Sequence, residues 1–195
     1  MRYGETPSQT VGPYFAYGLT AGQYGYDFTD IANGVIAGPA AKGEHIRITG
    51  QVFDGNNVPV NDAMIEIWQA DANGHYAKDP VDVTSDGFRG LGRYGTGTDP
   101  QNRFVFDTVK PGVVADGGAP FVNVIVFMRG MLVHAFSRIY FSDDHALHGV
   151  DAVLQSVPAD RRKTLIAERT ETPTGIEYRF DIHMQGDRET VFFDV

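Results

Sequence analysis

Residues 120–141 read PFVNVIVFMRGMLVHAFSRIYF, and this stretch decides the fold class. Pro120–Met128 and Met131–Phe141 each have the apolar character of a strand. Arg129-Gly130 between them predicts a tight hairpin. Outward from this pair the same grammar repeats. His45–Phe53 alternates apolar Ile46 and Ile48 with polar Arg47 and Thr49, then meets the turn cluster Asp54-Gly55-Asn56-Asn57. Ala63–Ala70 and Asn102–Val109 predict further strands on the N-terminal side. On the C-terminal side, Thr164–Ala167, Ile176–Gln185 and Thr190–Phe193 do so too. Asp144–Val157 differs: Leu147, Val150, Val153 and Leu154 recur at helical spacing, an acidic cap precedes them and Pro158 closes the run. Many short strands with glycine-rich turns and one short helix predict a mainly all-β chain, a sandwich or barrel.

The 195 residues suit a single domain, 1–195, with an arm over 1–43 and a core over 44–195. Thr6–Phe15 (TPSQTVGPYF) is punctuated by proline, which pushes each preceding residue to extended backbone, so the arm is expected to be ordered but not helical. Its aromatics, Tyr14, Phe15, Tyr17, Tyr24, Tyr26 and Phe28, are too many for a solvated tail. The arm is therefore expected to pack on its own body or on a neighbour. A formal charge of −9 argues against nucleic acid or an anionic lipid surface as partner. The absence of cysteine excludes disulfides and thiolate chemistry. No apolar leader follows Met1 and no run of about 18 apolar residues occurs, so a cytoplasmic location is expected.

Read without any relative, the residues offer little chemistry. His145 and His148 would share a helix face but have no carboxylate completing a metal set, and His134 and His183 stand alone on strands. Asp143 and Asp144 suit a helix start. No nucleophile elbow, phosphate loop, dinucleotide fingerprint or zinc-protease motif is present. Arg129 is the exception, a cation at the tip of an apolar hairpin where its planar fork can meet a carboxylate or simply face water.

Six stretches, collinear over nearly the whole chain, carry a resemblance: Thr6–Phe15, Gly43–Asn56 (GEHIRITGQVFDGN), Glu66–Tyr76 (EIWQADANGHY), Thr108–Val114 (TVKPGVV), Tyr178–Gly186 (YRFDIHMQG) and Glu189–Val195 (ETVFFDV). Together they resemble the intradiol ring-cleaving dioxygenases, in particular the alpha-type chains of members that cleave protocatechuate. The resemblance implies a β-sandwich of intradiol dioxygenase type. In catalytic chains of the family a ferric ion is held by two tyrosines and two histidines, and phenolate oxygen suits so hard a cation. Carried onto this sequence, Tyr76 stands at one tyrosine position, Val114 at the other, and Phe121 and Asn123 at the two histidine positions. Three of the four donors are missing, which implies a vestigial metal site, no metal in this chain and no catalytic residue of its own.

The same resemblance implies that Fe(3+) is bound by a partner beta subunit in a hetero-oligomer of alpha-beta units. It further implies that Thr10, Gly12, Pro13 and Tyr14 line the entrance of the shared pocket, and that Arg129, in the F-x-R-G turn at Phe127–Gly130, reaches the substrate carboxylate. The implied reaction is O2-dependent intradiol cleavage of 3,4-dihydroxybenzoate to 3-carboxy-cis,cis-muconate, in the β-ketoadipate pathway. A noncatalytic scaffold subunit and a transthyretin-like small-molecule carrier are the alternatives.

Overall fold

The computed structural model describes residues 10–79, 82–115 and 117–194. Thr6–Gln9 and Val195, within two of the stretches quoted above, lie outside them, as do the side chains of Pro13 and Tyr14. Nine strands follow one another: β1 (His45–Phe53), β2 (Met64–Gln69), β3 (Leu91–Gly95), β4 (Arg103–Val109), β5 (Phe121–Phe127), β6 (Ala135–Phe141), β7 (Ile166–Thr172), β8 (Gly175–Arg179) and β9 (Ile182–His183). Their hydrogen-bonded order is β3-β2-β5-β6-β7-β8-β1-β4, with β9 paired to β1. This path folds into two layers, β3-β2-β5-β6 and β7-β8-β1-β4, and the short parallel pairing of β6 with β7 joins them.

The inward faces of the two layers make the main core. Ile46, Ile48, Phe104 and Phe106 meet Ile65, Ile67, Val122, Val124, Val126 and Ile139 there, every one of them buried. Burial of each such side chain is worth about 1.5–3 kcal/mol before conformational entropy is charged against it. A polar tie crosses the layers where β2 and β4 end. Gln69, fully buried, donates from Nε2 to the Ala70 and Val109 carbonyls at 3.1 and 2.9 Å and accepts from Thr108 Oγ1 at 3.0 Å. A second, smaller apolar cluster of Phe121, Tyr140, Leu154, Val157 and Leu165 lies on the outer side of β5 and β6, against the helical segment.

Four expectations need correction. The arm contains a helix, α1 (Pro13–Leu19): proline occupies its first turn, where no N–H is needed, and Gly12 supplies the extended residue before it. The expected single helix is two short ones, α2 (His145–His148) and α3 (Ala152–Ser156), because Asp151 leaves the helical path and caps α3 by accepting from Leu154 N. β6 starts at Ala135, so Met131–His134 belongs to a longer loop and Arg129-Gly130 is not a tight hairpin. Thr190–Phe193 forms no strand; Phe193 contributes an isolated bridge to Phe136. Leu91–Gly95, not anticipated, is the edge strand β3. Among the described residues no helix is long and apolar enough to cross a membrane.

Candidate functional site

β5 alternates, so Phe121, Asn123, Ile125 and Phe127 point away from the main core. Register places Trp68 and Arg138 on either side of Asn123, and Glu66 and Phe136 on either side of Ile125. These rows floor a groove of about 800 Å³ on the outer face of the β3-β2-β5-β6 layer, walled by Val153 and Phe193.

The four positions singled out by resemblance come together at one end of this groove. Tyr76 stacks on Trp68 with ring centroids 5.8 Å apart, and Asn123 Nδ2 donates to the Tyr76 hydroxyl at 3.3 Å and to the Trp68 carbonyl at 3.4 Å. Phe121 shares Asn123's face two residues earlier, and Val114 packs on the cluster that contains Phe121. As ligands for a ferric ion they do not fit. Valine and phenylalanine have no donor atom, and Asn123 commits its amide nitrogen to neutral partners. Burial pushes the Tyr76 phenol above its ordinary pKa, partly offset by the Asn123 hydrogen bond, so it keeps its proton. Among the described residues no group of three His, Asp or Glu side chains is placed to hold a metal.

Arg138 occupies the space beside these four positions. The Arg138 guanidinium lies 3.9 Å from the centroid of the Phe121 ring and donates to the Tyr140 hydroxyl at 3.4 Å. Tyr140 in turn donates to Asp151 at 3.0 Å, and burial together with this carboxylate pushes its phenol up to about 12. Arg138 was not singled out from sequence. Its signal was a lone arginine in an apolar alternation, on the face shared by Phe136 and Tyr140.

At the opposite end of β5 stands the second set of residues. Arg129 follows the strand and its Nε pairs with Asp62, in the turn before β2. Gly130 N donates to Thr10 Oγ1 at 3.0 Å, tying this loop to the arm. Phe15 of α1 packs on Phe127 at 5.7 Å. Val11, Gly12, Phe15, Asp62 and Arg129 together line a cleft of about 250 Å³. Thr10, Gly12 and Arg129 are thus brought together; Pro13 opens α1, and the Pro13 and Tyr14 side chains lie outside those described. A Cβ on Gly12 would meet nothing within 4 Å and its φ of −106° is open to any residue, so nothing in this chain's own fold requires glycine there.

Three histidines make packing or hydrogen-bond contacts. His134 lies in the loop, not on a strand, between Phe127 and Phe136. His183 stacks on Phe53 at 4.9 Å, and burial lowers its pKa. His148 bonds the Phe141 carbonyl at 3.1 Å. Asp143 accepts from Lys110 and from the Tyr178 hydroxyl.

Comparison with known proteins places the chain in a family. A dioxygenase family pattern matches residues 12–186. The alpha chain of protocatechuate 3,4-dioxygenase from Burkholderia cepacia is 55% identical over 98% of this chain and 98% of its own length. The beta chain from the same organism is 31% identical over 80% of this chain and 71% of its own. Among solved structures, the dioxygenase domain of a carbohydrate-binding fusion from Streptomyces sp. SirexAA-E shares the fold with a TM-score of 0.60 at 22% identity, covering 96% of this chain and all of that one. The chain belongs to the intradiol dioxygenase family and, within it, to the alpha chains of protocatechuate 3,4-dioxygenase.

Proposed function

We propose that this chain is the pocket-completing alpha subunit of a protocatechuate 3,4-dioxygenase, with Fe(3+) held by the beta subunit. The enzyme opens the ring of 3,4-dihydroxybenzoate between its two hydroxylated carbons. Both atoms of O2 enter the product, 3-carboxy-cis,cis-muconate. The ferric ion, when bound in the partner, activates the chelated ring toward O2. This chain's own residues bind and orient.

One observation carries the reading: the degenerate centre and the Arg129 cleft lie at opposite ends of β5. Asn123 lies four residues before the end of β5 at Phe127, about 13 Å of extended backbone, and Arg129 sits in the turn beyond that end. Arg129 therefore serves something other than this chain's own degenerate centre, and a substrate held by a neighbouring chain supplies it. Asp62 engages Nε and, among the described residues, leaves the two terminal nitrogens of the guanidinium for a second carboxylate. The bare Gly12 at the cleft gives a ring or a neighbouring backbone room to approach, and Thr10 holds the arm against the Arg129 loop. Holding the carboxylate at a fixed angle restricts the ring before reaction, a contribution of several kcal/mol when alignment is good.

The test is Arg129→Ala in the purified alpha-beta complex. The KM for protocatechuate is expected to rise by roughly one to two orders of magnitude, with a smaller effect on catechol, which lacks the carboxylate. An unchanged KM sinks the clamp. It would favour the second reading, a scaffold subunit whose arginine serves only the Asp62 pair.

A further inference from the structure

We infer that the groove over this chain's degenerate centre is itself a binding site for a small aromatic carboxylate, with Arg138 as its anchor. Among the described residues the cation has no direct ion pair; the Asp151 carboxylate is reached only through the Tyr140 hydroxyl. The groove's Glu66 is taken by Arg93 at 2.6 Å, and exposed Asp194 at the rim does not pair with Arg138. It is also held in place. The Phe121 ring at 3.9 Å and the Tyr140 hydroxyl at 3.4 Å fix the guanidinium while using one N–H, which leaves other donors of its planar fork for a carboxylate.

The remaining walls select the rest of the ligand. Trp68, Ile125, Phe136 and Phe193 present aromatic and aliphatic surface, and the volume of about 800 Å³ falls in the range of small-molecule sites. Beside Arg138, the Tyr76 hydroxyl accepts from Asn123 and keeps its own proton to donate, and Asn123 Oδ1 accepts no hydrogen bond among the described residues. A ring hydroxyl can therefore be met by one acceptor and one donor. A polyphosphate is excluded by charge, since a single free cation faces two groove carboxylates. An aliphatic acid would leave the ring-lined walls unfilled.

The inference does not rest on the Arg129 assignment, and the experiment separates the two. The complex of this chain with its beta partner is dialysed to equilibrium against 4-hydroxybenzoate, an aromatic acid without the second hydroxyl that ring cleavage needs. Two equivalents per alpha-beta unit are expected. In Arg138→Gln the affinity of one of them falls on the order of tenfold or more, and Arg138→Lys, which keeps the charge but not the fork, falls between. Trp68 is the chain's sole tryptophan, so the fluorescence change lost in Trp68→Phe reports the groove alone. One equivalent in the wild-type complex, insensitive to Arg138→Gln, overturns the inference and points to a partner segment occupying the groove. Two equivalents undiminished by Arg138→Gln overturn it as well. An equivalent that responds to Arg138→Gln while none responds to Arg129→Ala leaves the groove standing and removes the carboxylate clamp.

Discussion

Asp151 offers the sharpest test of how the groove is built. Its side chain is 4% exposed, and its two oxygens accept from Leu154 N at 2.7 Å, Ala119 N at 3.2 Å and Tyr140 Oη at 3.0 Å. One carboxylate thus caps α3, anchors the segment entering β5 and fixes the tyrosine on which Arg138 rests. Asp151→Ala removes three bonds to a charged acceptor. It also strands Ala119 N and the Tyr140 hydroxyl in the interior, because Tyr140 is fully buried. A lost cap costs about 1 kcal/mol, and each stranded buried donor about 1–3 kcal/mol. Partial relaxation brings the expected total to about 3–5 kcal/mol. In a chain of this size that is a fall in Tm of about 10 °C. Asp151→Asn keeps an acceptor oxygen and is expected to lose about 1–2 kcal/mol. Urea unfolding followed by tryptophan fluorescence measures both, with the slope checked for constancy. If Asp151→Ala lost less than about 1 kcal/mol, or if alanine and asparagine cost the same, the hydrogen-bond account of this junction would be wrong.

Three further outcomes follow from the structure. Gly50→Ala should abolish folding or cost well over about 3 kcal/mol, seen as loss of soluble protein, since a Cβ there would sit 1.7 Å from the Phe180 carbonyl oxygen. The Arg103 guanidinium, through its hydrogen bonds, holds Asp99 at about 2. Its folded pKa is depressed, so its stabilisation is complete above the unfolded value near 3.9 and is lost as pH falls toward about 2; acid titration of Asp99→Asn should show a shallower loss of stability in that window, and an unchanged profile would refute the assignment. Leu132 and Val133, 64% and 65% exposed beside the Arg129 loop, are expected to face the partner. Leu132→Asp should leave the Tm of this chain unchanged while weakening association with the beta chain by about 1–2 kcal/mol in sedimentation velocity.

Where sequence reading succeeded, a local pattern and tertiary burial said the same thing. β1 was legible to its last residue because Ile46 and Ile48 alternate with polar partners and the Asp54-Gly55-Asn56-Asn57 turn follows at once. It failed where the reason for a residue lies across the fold. β3 hid behind its glycines, which looked like turn residues; at Gly92 a Cβ would come within 2.5 Å of Ile36 Cδ1, so the strand needs glycine for packing. Met131–Val133 misled in the other direction. Its apolar residues suggested a buried strand, yet Leu132 and Val133 face out.

The site divides along the same line. Tyr76 lies far in sequence from Val114, Phe121 and Asn123, and only a resemblance gathered the four; β5 pleating and the Trp68 stack then supply the physical reason that Tyr76, Phe121 and Asn123 share one end of a groove. Arg138 carried only a faint signal, a lone arginine in an apolar run, because its meaning depends on β5-β6 register, which sets it opposite Asn123 and over Phe121. That placement bears on what the chain can become. A fixed cation beside the Tyr76–Asn123 pair disfavours a metal cation there, since two unit charges 4 Å apart repel by about 4 kcal/mol at an effective dielectric constant of 20. The missing donor atoms and the Arg138 guanidinium therefore act in the same direction. Histidine placed at 121 and 123 would still stand beside the Arg138 charge.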